Sequence, residues 1–183
     1  MKTAHLLLLI GITLASVGPA IAQQTAPDAK ELYQRTMDGA EAAFDTARMR
    51  CDSVAGIPHE ICLAEARANR VRIEEEAQAA YRNTLSAYTG ARMRIASAYY
   101  DRDKARCGAL TGNDREVCLQ QAKAYLVAAR ADARADRKTV EARLDARDEK
   151  IDAEYRVALQ RCDAFAGAVK DQCVGTARTA YGK

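Results

Sequence analysis

Apolar residues recur every three or four positions along most of the chain, with charged residues between them. That spacing places the apolar side chains on one face of an α-helix. The clearest stripe comprises Cys118, Ala122, Leu126, Ala129, Ala133, Val140, Leu144, Ile151, Tyr155, Ala158 and Cys162. The pattern therefore predicts an all-α fold built from long helices.

The same stripe indicates how those helices run and what they need for stability. Cys162 follows Cys118 by four repeats of eleven positions. A period of eleven gives about 3.67 residues per turn and favours straight or slightly right-handed helices. Alanine supplies much of the stripe and buries little area. We therefore expect extended, coiled-coil-like antiparallel hairpins that need disulfides or partners to be stable.

Six cysteines form three pairs with one internal spacing. The pairs are Cys51 and Cys62, Cys107 and Cys118, and Cys162 and Cys173, and in each the second cysteine stands eleven positions after the first. The pairs recur at nearly equal steps, the second step being one position shorter than the first. A glycine follows each first cysteine by five positions, at Gly56, Gly112 and Gly167. Such fixed offsets indicate an internal structural repeat.

Each cysteine pair predicts a helix, a tight turn and a second helix. The repeated glycine suits the left-handed residue that ends a helix. Pro58 suits the first position of the next helix, and Asn113 with Glu116 forms a capping box at the second pair. The third pair has no comparable cap. We call these segments the first, second and third cysteine turns.

In such a hairpin the two cysteines of a turn face each other. We therefore predict the disulfides Cys51–Cys62, Cys107–Cys118 and Cys162–Cys173, each contributing about 3 kcal/mol through the unfolded state. An alternative exists, because eleven positions make about three helical turns and both cysteines could share one face of an unbroken helix. They would then be about 16 Å apart and would need partners elsewhere. The glycines and Pro58 favour the hairpin.

The turns divide the chain into four predicted helices, at about 28–55, 58–110, 113–166 and 169–181. We expect the first helix to pack along the opening half of the second, and the fourth along the closing half of the third. An unbroken second helix would be about 78 Å long, with the first and third turns at one end of the assembly and the second at the other. Breaks at Gly90 and near Lys138 would give a shorter bundle.

Residues 1–22 have the pattern of a secretory signal peptide. An apolar run at Leu6–Leu14 is followed by a small-residue site, so we predict cleavage after Ala22 and a mature helical repeat domain at residues 23–183. The run is short for a membrane span of about 20 residues, and we expect no integral membrane segment after cleavage. Export to an oxidising compartment agrees with paired cysteines.

Charge and the remaining motifs point away from several classes of function. Lys and Arg number 28 against 25 Asp and Glu, spread along the chain, so we expect no nucleic-acid binding. His59, beside Pro58, is expected to be solvated rather than catalytic. Asp101 and Asp103 diverge by about 200° on a helix and do not predict a metal site. The sequence has no Cys-x-x-Cys, phosphate-loop or nucleophile-elbow motif, so we expect no enzyme activity, no cofactor and no bound metal.

The repeat resembles a group of uncharacterised exported proteins of Gram-negative bacteria. The resemblance rests on Arg-Cys-Asp-x-φ-x-Gly followed by Asp/Glu-x-Cys-φ-x-x-Ala-Arg/Lys, between helices rich in Ala, Lys and Arg, and covers most of the mature chain. Such proteins are sometimes labelled cell-envelope or TolA-like. The resemblance implies a periplasmic location and supplies no activity.

The leading hypothesis is a non-catalytic periplasmic structural or interaction protein that spaces or binds envelope components. A holdase chaperone that cradles unfolded clients is the first alternative, although the Leu-Thr-x-x-Gln motif of Spy-like chaperones is absent. The second alternative is an inhibitor of a secreted hydrolase, with Ile57–Glu60 and Gly112–Arg115 as its tips. The partner is an unknown protein or envelope component, and oligomerisation stays open.

Overall fold

A computed structural model describes residues 28–183. The described chain forms five α-helices: α1 (Ala29–Cys51), α2 (Ile57–Arg82), α3 (Leu85–Cys107), α4 (Gly112–Cys162) and α5 (Gly167–Tyr181). The predicted all-α fold is confirmed. The predicted signal peptide at residues 1–22 lies outside the described residues.

Within the described residues, each helix packs only against its neighbours in sequence. The contacts join α1 to α2, α2 to α3, α3 to α4 and α4 to α5, so the chain folds as an open zigzag. Helices α2 and α3 run antiparallel. Arg94 of α3 donates a hydrogen bond to Glu75 of α2, and Arg106, later in α3, donates to Glu65, earlier in α2. The coiled-coil-like packing of these hairpins stays a prediction.

The predicted unbroken helix at 58–110 is wrong, because the chain reverses direction at Asn83 and Thr84. Asn83 has φ 46° and ψ 44°, a left-handed conformation that asparagine tolerates better than most residues. Thr84 caps α3, since its hydroxyl accepts a hydrogen bond of 3.1 Å from the backbone N–H of Ala87. Gly90, the position of the alternative break, lies inside α3.

α4 is the one long helix predicted correctly. It has 51 residues and is therefore about 77 Å long. It continues through Lys138, so no break occurs there. The helices before the three cysteine turns end at Cys51, Cys107 and Cys162, a few residues earlier than predicted.

The reversal at Asn83 changes where the cysteine turns lie. Because α2 and α3 form a hairpin, the first and second turns share one end, and Arg106 beside the second turn donates to Glu65 beside the first at 2.8 Å. The third turn lies at the far end of α4. The expectation that the first and third turns share an end is therefore wrong. The predicted packing of the last helix is confirmed: Tyr181 of α5 meets Tyr155 in the closing part of α4, with ring centroids 6.0 Å apart.

The core is narrow and consists of small residues. Its buried apolar members are Ala40, Cys51, Ala68, Ala79, Ala91, Ala96, Cys107, Ala122, Ala133, Cys162 and Ala177. Aromatic contacts add to it between α1 and α2, where Tyr33 stacks on Tyr81 at 4.9 Å and Arg70 lies over the ring of Phe44 at 5.3 Å. Since alanine buries little apolar area, covalent links between helices carry more of the stability than in a larger core.

Candidate functional site

The three cysteine turns share one backbone geometry, which makes them the repeated sites of the molecule. In each turn the helix ends at the first cysteine. The backbone carbonyl of that cysteine accepts a hydrogen bond from the backbone N–H three residues later. The donors are Val54 to Cys51 at 3.1 Å, Leu110 to Cys107 at 3.1 Å and Phe165 to Cys162 at 3.0 Å. The turn then reaches its glycine, and the next helix begins at or beside it.

The glycines of the turns have positive φ, of 65° at Gly56, 57° at Gly112 and 55° at Gly167. Side chains with a Cβ rarely adopt such a φ. Gly56 combines it with ψ −143°, which lies outside the left-handed helical region predicted for it. The role of the three glycines also differs from the prediction. Each glycine starts the following helix rather than ending the preceding one, because the residues just after the cysteine already complete the earlier helix.

Every predicted disulfide is present. Cys51 joins Cys62, Cys107 joins Cys118 and Cys162 joins Cys173, each with a Cα–Cα distance of 5.6 Å. That distance is within the ordinary range for disulfides, which excludes the alternative of two cysteines far apart on one unbroken helix. The first cysteine of each pair is buried, so the sulfur bridge lies between the two helices at the closed end of the hairpin.

An exposed apolar side chain stands at the tip of each cysteine turn. Val54, Leu110 and Phe165 occupy the third position after the first cysteine and are between 41% and 49% exposed. Three equivalent positions therefore present an apolar side chain to solvent. The sequence shows these positions as a repeated Cys-x-x-apolar spacing. The prediction of the turns used only the glycines and Pro58, so it did not identify them.

Polar side chains meet across two of the three turns at equivalent positions. In the first, His59 lies 3.6 Å from the carboxylate of Asp52. In the third, Lys170 lies 2.9 Å from Asp163. The second turn has Gly108 where the others have aspartate, so it lacks the acidic partner. His59 is thus placed as part of a repeated surface contact, although an exposed pair of this kind contributes little to stability.

The candidate metal-binding residues Asp101 and Asp103 lie apart in the structure. Asp103 is bound by Arg102 at 2.8 Å, while Asp101 faces the groove between α2 and α3, so the two do not converge. No group of three or more metal-ligating side chains occurs in residues 28–183. The groove between α2 and α3, about 660 Å³, is open and lined by residues such as Leu63, Val71 and Ala98.

Where a pKa in the described chain departs from the ordinary value of its group, the cause is an ion pair at the surface. The pKa of Asp152 is lowered by the hydrogen bond and charge of Lys183, which fastens the end of α5 to α4. Arg94 has a raised pKa because it donates to Glu75. These two pairs join neighbouring helices.

No helix in residues 28–183 is both long enough and apolar enough to cross a membrane. No protein-family model, curated protein or solved structure matches the chain.

Proposed function

We propose that this chain is a non-catalytic structural or interaction protein of the Gram-negative periplasm that binds or spaces envelope components. The observation that carries the proposal is the open zigzag. Helices that contact only their neighbours leave much of their side-chain surface facing solvent. Repeated apolar tips at Val54, Leu110 and Phe165 give such a surface several equivalent contact points.

The location is tested first. The full chain, expressed in a Gram-negative host, is expected in the osmotic-shock fraction, beginning at Gln23 and with oxidised cysteines. A matched chain lacking residues 1–22 is expected to stay in the cytoplasm. Retention of the full chain in the cytoplasm contradicts the periplasmic assignment.

Binding is tested with the oxidised chain as bait in envelope extract. We expect a reproducible protein or peptidoglycan partner, and we expect the triple variant Val54→Ser, Leu110→Ser, Phe165→Ser to lose it. A matched control replaces exposed Val169, outside the repeated tip position, by Ser. Circular dichroism shows that the variants keep their helices. Absence of any reproducible partner, or equal capture by the triple variant, argues against binding through the tips.

A holdase chaperone is the second candidate, and the same exposed apolar tips favour it, because apolar patches bind unfolded chains. An aggregation assay with a denatured client separates the two functions. Suppression at near-stoichiometric ratio, lost in the triple variant, supports the holdase. Unchanged client aggregation supports the envelope scaffold.

A further inference from the structure

The internal repeat aligns the long helix α4 with the hairpin formed by α2 and α3. Cys62 near the start of α2 is equivalent to Cys118 near the start of α4, and Cys107 at the end of α3 is equivalent to Cys162 at the end of α4. The first half of α4 is thus equivalent to α2, and its second half to α3. The residues Arg82-Asn83-Thr84-Leu85 at the hairpin turn correspond to Arg137-Lys138-Thr139-Val140 inside α4.

Two differences between the copies fall at this point: the α2–α3 segment has two residues between Ala79 and Arg82 where α4 has one between Ala135 and Arg137, and Asn83 stands where α4 has Lys138. Asn83 adopts the left-handed conformation, whereas Lys138 is helical, and lysine favours the helix over the left-handed region. The following threonine changes its role accordingly. Thr84 accepts a capping bond from a backbone N–H, while Thr139 donates its hydroxyl to the carbonyl of Ala135 at 3.0 Å within the helix.

Because α4 stays straight, the faces that would meet in a hairpin are left uncovered. Ala68 and Ala79 of α2 are each 2% exposed, and Ala91 of α3 is also buried. Their equivalents in α4 are Ala124, Ala135 and Ala146, and all three are exposed. This face lies opposite the side on which Ala122 and Ala133 are buried, since positions two apart on a helix point in nearly opposite directions.

The two halves of α4 also carry opposite charge. Residues 123–138 contain five basic and two acidic side chains, a net charge of +3. Residues 141–154 contain three basic and six acidic side chains, a net charge of −3. A second copy of α4 laid antiparallel on the first would bring each positive segment against a negative one.

We propose that two copies of this chain associate through antiparallel α4 helices, around a two-fold axis near Val140. The first half of one α4 covers the second half of the other, so each copy supplies the surface that α3 supplies to α2. A two-fold axis makes both contacts identical, and the exchange of equivalent halves is the geometry of a domain swap. The overlap from residue 120 to 160 is about 60 Å long.

The register follows from the contacts between α2 and α3. Glu75 meets Arg94 there, so the repeat places Ala131 opposite Glu149 of the partner subunit. In this register Arg134 lies beside Asp145 of the partner subunit and Asp132 beside Lys150 of the partner subunit. Tyr125, which is 72% exposed, then packs on Val157 of the partner subunit, which is 52% exposed in the single chain. The proposal is independent of the envelope role.

Sedimentation of the oxidised mature chain over a concentration series tests the association. We expect a dimer in equilibrium with a monomer. Arg134→Asp and Asp145→Arg are each expected to raise the dissociation constant about tenfold, because each loses two ion pairs and creates two repulsions. The double variant is expected to recover the parent value. Arg147→Asp, on the opposite side of α4, is the matched control and leaves the dissociation constant unchanged.

Spin labels on a ketone-bearing residue, which spares the cysteines, test the orientation. A label at Thr139 is expected to lie within about 20 Å of its counterpart, and one at Lys123 about 50 Å away, because each lies a fixed helical rise from the axis. A monomer throughout the concentration series overturns the proposal, whether α4 stays straight or folds back. Short distances at both labels, meaning a parallel pair, also overturn it, as does a dimer insensitive to the Arg134 and Asp145 variants.

Discussion

Asn83 is the single residue on which the path of the chain depends most. It takes the left-handed conformation that lets α2 end and α3 return, and Thr84 supplies the cap. The equivalent Lys138 and Thr139 leave α4 unbroken. Two copies of one repeat thus differ in topology where the α2–α3 segment has one additional residue and an asparagine in place of lysine.

Replacing Asn83 tests this. Asn83→Lys is expected to lower the free energy of unfolding by about 1 kcal/mol, because the left-handed conformation is less favourable for lysine than for asparagine. Asn83→Gly is the matched control and is expected to be close to neutral, because glycine adopts positive φ readily. Urea denaturation with the disulfides intact measures both. Equal stability of the Lys and parent chains would show that the turn does not depend on this residue.

Asp152 makes a prediction about pH. Its hydrogen bond and ion pair with Lys183 lower the pKa of its carboxyl group in the folded chain. The sign follows: the pair stabilises the docking of α5 when Asp152 is charged, and that stabilisation is lost as the pH falls through the lowered pKa. A carboxyl titration by NMR should give a midpoint below the ordinary aspartate value, and Lys183→Ala should raise it. An unchanged midpoint in that variant excludes the pair as the cause.

At the scale of elements, the sequence predicted the cysteine turns well because their signals are local. Equal spacing and a glycine within each loop were enough to pair Cys51 with Cys62 and to identify the other two disulfides. The hairpin between α2 and α3 was missed. Its signal is an asparagine followed by a capping threonine. Gly90, the alternative break, costs only about 1 kcal/mol inside a helix and is tolerated there.

Each cysteine turn is expected to act as a separate staple. Replacing Cys107 and Cys118 together by alanine should lower the free energy of unfolding by about 3 kcal/mol, because the short closed loop no longer restricts the unfolded chain. Chemical denaturation of the monomeric fraction measures the loss. Val117→Ala, in the same turn but outside the disulfide, is the matched control. A loss no larger than that of the control would mean that the bridge is dispensable.

In the whole molecule, the stability of each helix depends on its contacts with the helices next to it in sequence. No described helix contacts a helix beyond the next one in sequence, so disruption at one end has no direct contact through which to reach the other. Chains of this kind behave as sums of local units and neighbour interfaces. Composition and spacing could not predict the overall path of the chain. That path depends on the chain reversing at Asn83 and staying helical at the equivalent Lys138.

Hydrogen exchange tests this locality. In the Cys162→Ala, Cys173→Ala variant, amides of α5 are expected to exchange much faster, while those of α2 keep the parent rate. In the matched Cys51→Ala, Cys62→Ala variant, the acceleration is expected in α1 and not in α5. Uniform acceleration in either variant would indicate one cooperative unit and contradict the zigzag of independent contacts.

Each cysteine turn is closed by its own disulfide, and a tryptic map without reduction tests this pairing. Trypsin leaves Cys51 and Cys62 within one peptide, 51–67, which should be lighter than its reduced form by two hydrogen atoms. Peptide 107–115 should be linked to 116–123, and 162–170 to 171–178. A free thiol, or a link between peptides of different turns, would contradict the account.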